Sequence, residues 1–344
     1  MAGEKPLGIG VIGTGAWATS FWRQAQSCPD VQVVACWNRT AARAEKFAAS
    51  YGGEVAPTVE ALVRHPGVDA VANFTANNFH RGPTETAAAA GKHVFTDKPI
   101  ANTMEDAAAM VRACQGAGVT LMVGHSTRYT AWSRALKSLL DSGRVGRAAM
   151  AEGNMSHSGG RTLTEKEWRW HRGEAPGGPL MQLALHIFDT MHYFFGPPRR
   201  VIALSDASLL SSEIEDVFVA LLEFESGLLA YVGTNYVSPP VTYIRIYGQN
   251  GNAYATEESI TLTAANEEDR WDPKTEEVAI PDVNAYAAEM AEFARAIRTG
   301  TPPETGAKEG LLALGVVRGC LLSAEQGRPI EIREALGEAA SLVG

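Results

Sequence analysis

Four side chains in this sequence stand at spacings that could hold a substrate hydroxyl and move its proton. Gln182, His186 and Asp189 are four and then three residues apart, which on a helix sets all three along roughly one side. An imidazole with an ordinary pKa of about 6.5 suits removal of a hydroxyl proton near neutral pH, and its return in the reverse direction. A half-buried histidine satisfied by Asp189 fits the same spacing. Lys98 comes just after a predicted strand at 93–96, so it would project from the carboxyl edge of a sheet, where ligands bind in open α/β folds. An ammonium held there can hydrogen-bond a reacting oxygen and stabilise negative charge on it, and Pro99 restrains the backbone beside it. Spacing alone favours an ordinary surface lysine.

The elements that must position these groups begin at the amino terminus. An apolar strand from residue 7 turns over glycines into a helix, with the spacing Gly13-x-Gly15-x-x-Ala18. Gly13 would make the tight turn, Gly15 would let backbone approach a pyrophosphate, and Ala18 would let helix pack on strand. Thr14, Ala16 and Trp17 complete a loop whose helix N-terminus favours an anion, and the helix presents Trp17, Phe21 and Ala25 as its apolar residues. A strand at 31–37 follows and ends at Asn38-Arg39. An acidic residue there would accept hydrogen bonds from the adenosine ribose and repel a 2′-phosphate. This chain has Asn38 instead, then Arg39 and, one helical turn on, Arg43. That pattern predicts NADP(H) over NAD(H) as cofactor, the plain alternative being a solvated Arg39.

Strand and helix alternate to about residue 123, with further strands at 68–73, 93–96 and 119–123. A helix is predicted between the cap Thr103-x-x-Asp106 and a stop at Gly116. Five strands separated by helices predict a doubly wound parallel sheet. From about 148 to 262 the pattern becomes alternating strands joined by short turns, with helices at 130–142, 180–195, 284–298 and 307–326. The chain of 344 residues therefore reads as an α/β protein of two domains. Residues 1–123 form the dinucleotide-binding domain, and 124–344 an α+β domain with a large open, mostly antiparallel sheet for substrate and oligomerisation, whose last segment can pack back on the first domain. One bare sheet face predicts a homodimer or homotetramer. A net charge of −9 with 30 basic residues and no basic run argues against nucleic acid. No apolar run is long enough to span a membrane. The polar start at 1–6 predicts no secretory signal, and four cysteines without C-x-x-C spacing predict free thiols of the cytoplasm. The histidines and carboxylates predict no metal.

The ordered set of Gly10-Val-Ile-Gly-Thr-Gly15, Asp97-Lys98-Pro99, Gly124-His125, Trp168-Arg169, Gly177-Gly178-Pro179-Leu180 through His186-Ile-Phe-Asp189, and Ala296-Ile-Arg-Thr-Gly300 resembles the glucose–fructose oxidoreductase, inositol dehydrogenase and MocA family, Gfo/Idh/MocA, along almost the whole chain. The resemblance implies a Rossmann domain, an α/β substrate domain and hydride transfer between a nicotinamide and a carbinol or carbonyl of a sugar, cyclitol or sugar derivative. It implies that Lys98 polarises the oxygen, that His186 shuttles the proton, and that Asp97, replacing the family's glutamate, orders the lysine. By the same analogy Thr75, Asn77, Asn78 and His80 lie beside the nicotinamide ribose, Trp168 and Arg169 reach the cofactor, and Arg128, Tyr129 and Asp189 face substrate. Gln182 stands where the commonest family form has aspartate. An amide can hold a hydroxyl but neither exchanges a proton nor supplies charge to raise the histidine pKa. Two other readings share the fold: a redox-neutral enzyme that cleaves or transfers a glycosyl group on a tightly bound cofactor, and a non-catalytic NADP(H) sensor.

Overall fold

The computed structural model describes residues 5–266, 268, 269 and 271–343, so the first four residues of the predicted polar start lie outside it. The chain divides into two compact units. Unit one joins Met1–Tyr129 with Asn284–Leu311 and Glu338–Gly344, and unit two is Thr130–Val283 with Leu312–Gly337. The division thus falls at 129 rather than at 123, and residues 284–311 return to the first unit.

Unit one is built on a six-stranded sheet in the order β3-β2-β1-β4-β5-β6, parallel throughout. Its strands are β1 (Leu7–Ile12), β2 (Val31–Trp37), β3 (Glu54–Val55), β4 (Ala70–Asn73), β5 (His93–Asp97) and β6 (Leu121–Gly124). The two-residue edge strand β3 is too short to show a period and escapes the sequence reading. The connecting helices are α1 (Ala16–Ala25), α2 (Ala41–Tyr51), α3 (Val59–Arg64), α4 (Arg81–Ala89) and α5 (Met104–Ala117). Strand order reverses beside β1, and that switch opens the crevice at the carboxyl ends of β1 and β4. Thr103 caps α5 by accepting from the Asp106 amide at 3.1 Å. The helix runs past Gly116 and stops at Gly118, which takes the left-handed conformation at φ 66°. Phe21, Trp22 and Ala25 of α1 are buried, whereas Trp17 is 40% exposed and does not belong to the apolar face. The helix Ala285–Thr299 returns to this core with Met290, Phe293 and Ala294.

Unit two carries α6 (Ala131–Asp141), β7 (Ala148–Ser156), α7 (Leu185–Phe195), β8 (Pro198–Asp206), β9 (Val217–Phe224), β10 (Leu229–Asn235), β11 (Val241–Gly248), β12 (Gly251–Thr256), β13 (Ile260–Ala264), β14 (Lys274–Val278) and β15 (Ile330–Glu331). The nine strands pair in the order β14-β13-β12-β11-β7-β10-β9-β8-β15, and only β7 with β10 is parallel. Burial alternates along the strands. On β9 Phe218, Ala220 and Leu222 are buried while Val219 and Leu221 are exposed, and on β8 Val201 and Ala203 are buried while Ile202 and Leu204 are exposed. Helix α7 lies on the buried face close to β7. A Cβ added to Gly153 would come within 2.7 Å of Ile187 Cγ2 and 3.0 Å of Met191 Cε, so this glycine permits the approach that seats the helix. No helix among the described residues is long and apolar enough to cross a membrane, and all four cysteines are buried free thiols.

Candidate active site

In unit one the β1–α1 turn has the form the spacing requires. Gly13 sits at φ 86°, and a Cβ there would lie 2.8 Å from the Phe74 carbonyl group and the Thr75 amide. Gly15 is different, because a Cβ would meet nothing within 4 Å. The protein's own packing therefore does not demand a glycine at 15; it leaves open space over the start of α1, whose N-terminus no side chain caps. Thr14 Oγ1 and Asn77 Nδ2 are buried polar atoms with no hydrogen-bond partner among the described residues. An open cradle, an uncapped helix N-terminus and two orphaned polar groups fit the phosphates and ribose of a dinucleotide.

The strand ends around this turn are tied by backbone. Fully buried Asn73, at the end of β4, accepts from Thr75 through both N (3.2 Å) and Oγ1 (2.8 Å) and donates to the His80 carbonyl at 3.0 Å. Asn78 is exposed and Thr75 half-buried. His80 is wholly buried, and its ring faces only backbone acceptors: Nδ1 the Pro99 and Ile100 carbonyls at 3.0 and 3.2 Å, Nε2 the Thr75 carbonyl at 3.0 Å. It is thus enclosed by the protein rather than presented to a ribose. Burial pulls the His80 pKa below its ordinary value against the opposing pull of Asp97. Lys98 follows β5 at the sheet's carboxyl edge, half-buried, with a cis bond to Pro99. Desolvation raises the Asp97 pKa, while the Lys98 ammonium, His80 and the Trp17 indole favour its charged form. After β2, Asn38 Oδ1 accepts from the Thr40 amide at 2.9 Å, fixing the β2–α2 bend. Arg39 and Arg43 are exposed, and among the described residues neither has an acidic partner.

Arg128 and Tyr129 depart from expectation. They are 3% and 2% exposed. Arg128 donates to the Glu304 carbonyl at 3.3 Å, and burial with the nearby Glu289 drives the Tyr129 pKa far up. Both groups are packed inside unit one, beside residues 284–305, instead of lining an open pocket.

In unit two the Gly177-Gly178 turn, both residues at positive φ, leads into a π-helical turn, Leu180–Ala184, which passes directly into α7. Thr234 Oγ1 donates to the Met155 carbonyl at 2.7 Å and lies 3.4 Å from that of Pro179, which ties β10 to this entry. Gln182 is in the π turn and 7% exposed; His186 is half-buried one turn later, and Asp189 is 1% exposed. Trp168 packs against a buried cluster of Ala175, Leu183, Ile214 and Tyr236. The exposed Arg169 guanidinium stacks 4.5 Å above the Trp168 ring, and His157 stacks on Tyr236 at 5.1 Å.

Residues 7–125 match the oxidoreductase family with an NAD-binding Rossmann fold, and residues 133–254 match the GFO/IDH/MocA C-terminal domain. The chain belongs to the Gfo/Idh/MocA family. It is accordingly an NAD(P)-dependent oxidoreductase. It is 30% identical over 336 residues, 95% of this chain and 99% of the relative, to a 1,5-anhydro-D-fructose reductase of Ensifer adhaerens. Against a D-xylose 1-dehydrogenase (NADP(+)) of Haloferax volcanii it is 25% identical, covering 94% and 99% of the two chains. Among solved structures, an oxidoreductase of Desulfitobacterium hafniense superposes with a TM-score of 0.93 at 30% identity, over 97% of this chain and 100% of the other.

Against the Gfo/Idh/MocA pattern, two features of the site escaped the sequence. One is Asn73, which organises the 73–80 loop; its signal was a polar residue closing an otherwise apolar strand, Ala70–Asn73. The other is the widened turn under Gln182, since residues 180–195 show uninterrupted helical character and no glycine or proline marks the change.

Proposed function

We propose that this chain catalyses reversible NADP(H)-linked exchange between a carbinol and a carbonyl on a sugar or cyclitol-like molecule. Gly13, Thr14, Gly15 and the start of α1 hold the diphosphate, and Arg39 with Arg43 receives the 2′-phosphate. When bound, the cofactor supplies or accepts the hydride. Lys98 polarises the reacting oxygen, His186 takes or returns its proton, and Gln182 orients a neighbouring hydroxyl. The observation that carries this reading is Lys98 at the carboxyl end of β5, in the same unit as the open glycine cradle. The names of the two curated relatives support a carbohydrate-like substrate, and the unpaired arginine pair supports NADP(H). The exposed strip Ile202, Leu204, Val219 and Leu221 supports pairing of two copies through the open sheet face.

The test is a screen of 1,5-anhydro-D-fructose, aldoses, cyclitols and glycosides with both dinucleotides, read at the nicotinamide absorbance, with Lys98→Met as the blank. Activity that survives Lys98→Met, or turnover with no absorbance change, would overturn the proposal. Gln182→Ala should weaken KM more than kcat. Loss of all turnover in Gln182→Asp, with Gln182→Ala active, would show that the amide does not merely position.

A further inference from the structure

We propose that His80 is a positioning residue for Lys98, acting through the backbone that carries the lysine. Three observations meet at this ring. It is fully buried, so it touches neither solvent nor an open crevice. Its two nitrogens face opposite segments: Nδ1 lies 3.0 Å from the Pro99 carbonyl and 3.2 Å from that of Ile100, and Nε2 lies 3.0 Å from that of Thr75. Its own carbonyl accepts from Asn73 Nδ2 at 3.0 Å, which anchors the histidine to the end of β4. A neutral imidazole donates from one nitrogen only; with the proton on Nδ1 the ring, whose own backbone belongs to the 73–80 loop, ties that loop to the turn that immediately follows Lys98. The two segments rise from neighbouring strands, β4 and β5, whose last paired residues are Asn73 and Thr96. The strand register ends at that pair, and the ring adds a connection between the segments beyond it. A lysine on a turn so tied holds its amine where the sheet edge sets it, which matters because a displacement of about 1 Å at a reacting group can cost roughly 100-fold in rate.

The inference rests on the proposed role of Lys98, and side-chain geometry gives a test that separates the two. Asparagine can place an amide nitrogen near the position of Nδ1 and keep the tie to Pro99 and Ile100, whereas glutamine reaches the position of Nε2, beside the Thr75 carbonyl, and loses that tie. His80→Gln should lower kcat about 10- to 100-fold, and His80→Asn should recover most of that loss. Both should leave the NADP+ Kd, by calorimetry, within about threefold of wild type. In the protein saturated with NADP+, hydrogen exchange across residues 94–104 should quicken in His80→Gln and stay near wild type in His80→Asn. The substrate is the compound that the wild-type chain turns over fastest in the screen above. Equal losses in the two variants would mean a general packing role and overturn the inference. So would a tenfold weaker NADP+ Kd at unchanged kcat, which would return His80 to the cofactor loop. If Lys98→Met keeps full activity, the reading of the lysine fails and this inference with it. If Lys98→Met is dead while both His80 variants keep wild-type kcat, only the inference fails.

Discussion

Replacing Arg39 by alanine gives the sharpest test of cofactor choice, because the structure isolates the effect. The side chain is exposed and has no acidic partner among the described residues, so removing it breaks no contact that holds the fold. Surface substitutions of this kind usually change stability by less than about 0.5 kcal/mol. What is lost is confined to an anion placed at the β2–α2 bend. A charge-assisted hydrogen bond is worth about 1.5–3 kcal/mol, or about 10- to 150-fold in Kd. Solvent screening at an exposed site puts Arg39→Ala near the lower end, about tenfold. Arg43→Ala should add a second, smaller loss, and the two together should be less than additive if both arginines hold one phosphate. NAD+ lacks the 2′-phosphate, so its Kd should move by less than about twofold. The assay is calorimetric titration of each variant with NADP+ and NAD+ at two salt concentrations, the NADP+ effect shrinking at the higher one. An unchanged ratio of the two Kd values in Arg39→Ala would refute the reasoning.

Other consequences follow from the same structure. Gly153→Ala forces a methyl to within 2.7 Å of Ile187 Cγ2 on α7; overpacking of about 1–3 kcal/mol should lower the Tm by about 2–6 °C, and an unshifted melting curve would mean that α7 is not seated on β7 as described. Leu221→Arg, on the exposed strip of β9, should convert a dimer to monomer in light scattering while leaving NADP+ affinity intact; a monomeric wild type would refute the pairing. Burial depresses the His80 pKa below 6.5, so below that pH the unfolded chain takes a proton that the folded chain refuses. Stability should therefore fall as pH drops from about 7 toward the depressed value, and thermal melts of His80→Gln should show a shallower fall. Identical slopes would refute it. His93, also depressed by burial, contributes with the same sign and stays in both proteins.

Much of the fold was legible because its signals are local. Val31–Trp37 reads as a strand from branched apolar residues alone, and Thr103 marks its helix by a cap that the structure contains. Where tertiary contacts decide, residue type misled. Trp17 looks like a core residue by spacing, yet it sits beside Asp97 with 40% of its surface exposed. Family analogy puts Arg128 and Tyr129 in the pocket, and they are buried because the helix Ala285–Thr299, more than 150 residues later, returns to their unit. His80 reads as a ligand-facing polar residue, and only the folded positions of the Thr75, Pro99 and Ile100 carbonyls reveal three backbone acceptors around it. The domain boundary slipped for a similar reason: residues 124–129 carry no strand or helix period that would assign them to either half.

The widened turn at Leu180–Ala184 makes the length of this segment a functional quantity. Such a turn is an ordinary helix with one surplus residue looped into it. Deleting a residue there would restore the regular ladder. Because the surplus residue is absorbed within that one turn, its removal would leave the rest of α7 in register and change only how the residues of the turn, Gln182 among them, are placed before His186. A variant shortened at this turn should therefore be followed by its melting temperature and by its turnover together, since the two report on different parts of the same segment.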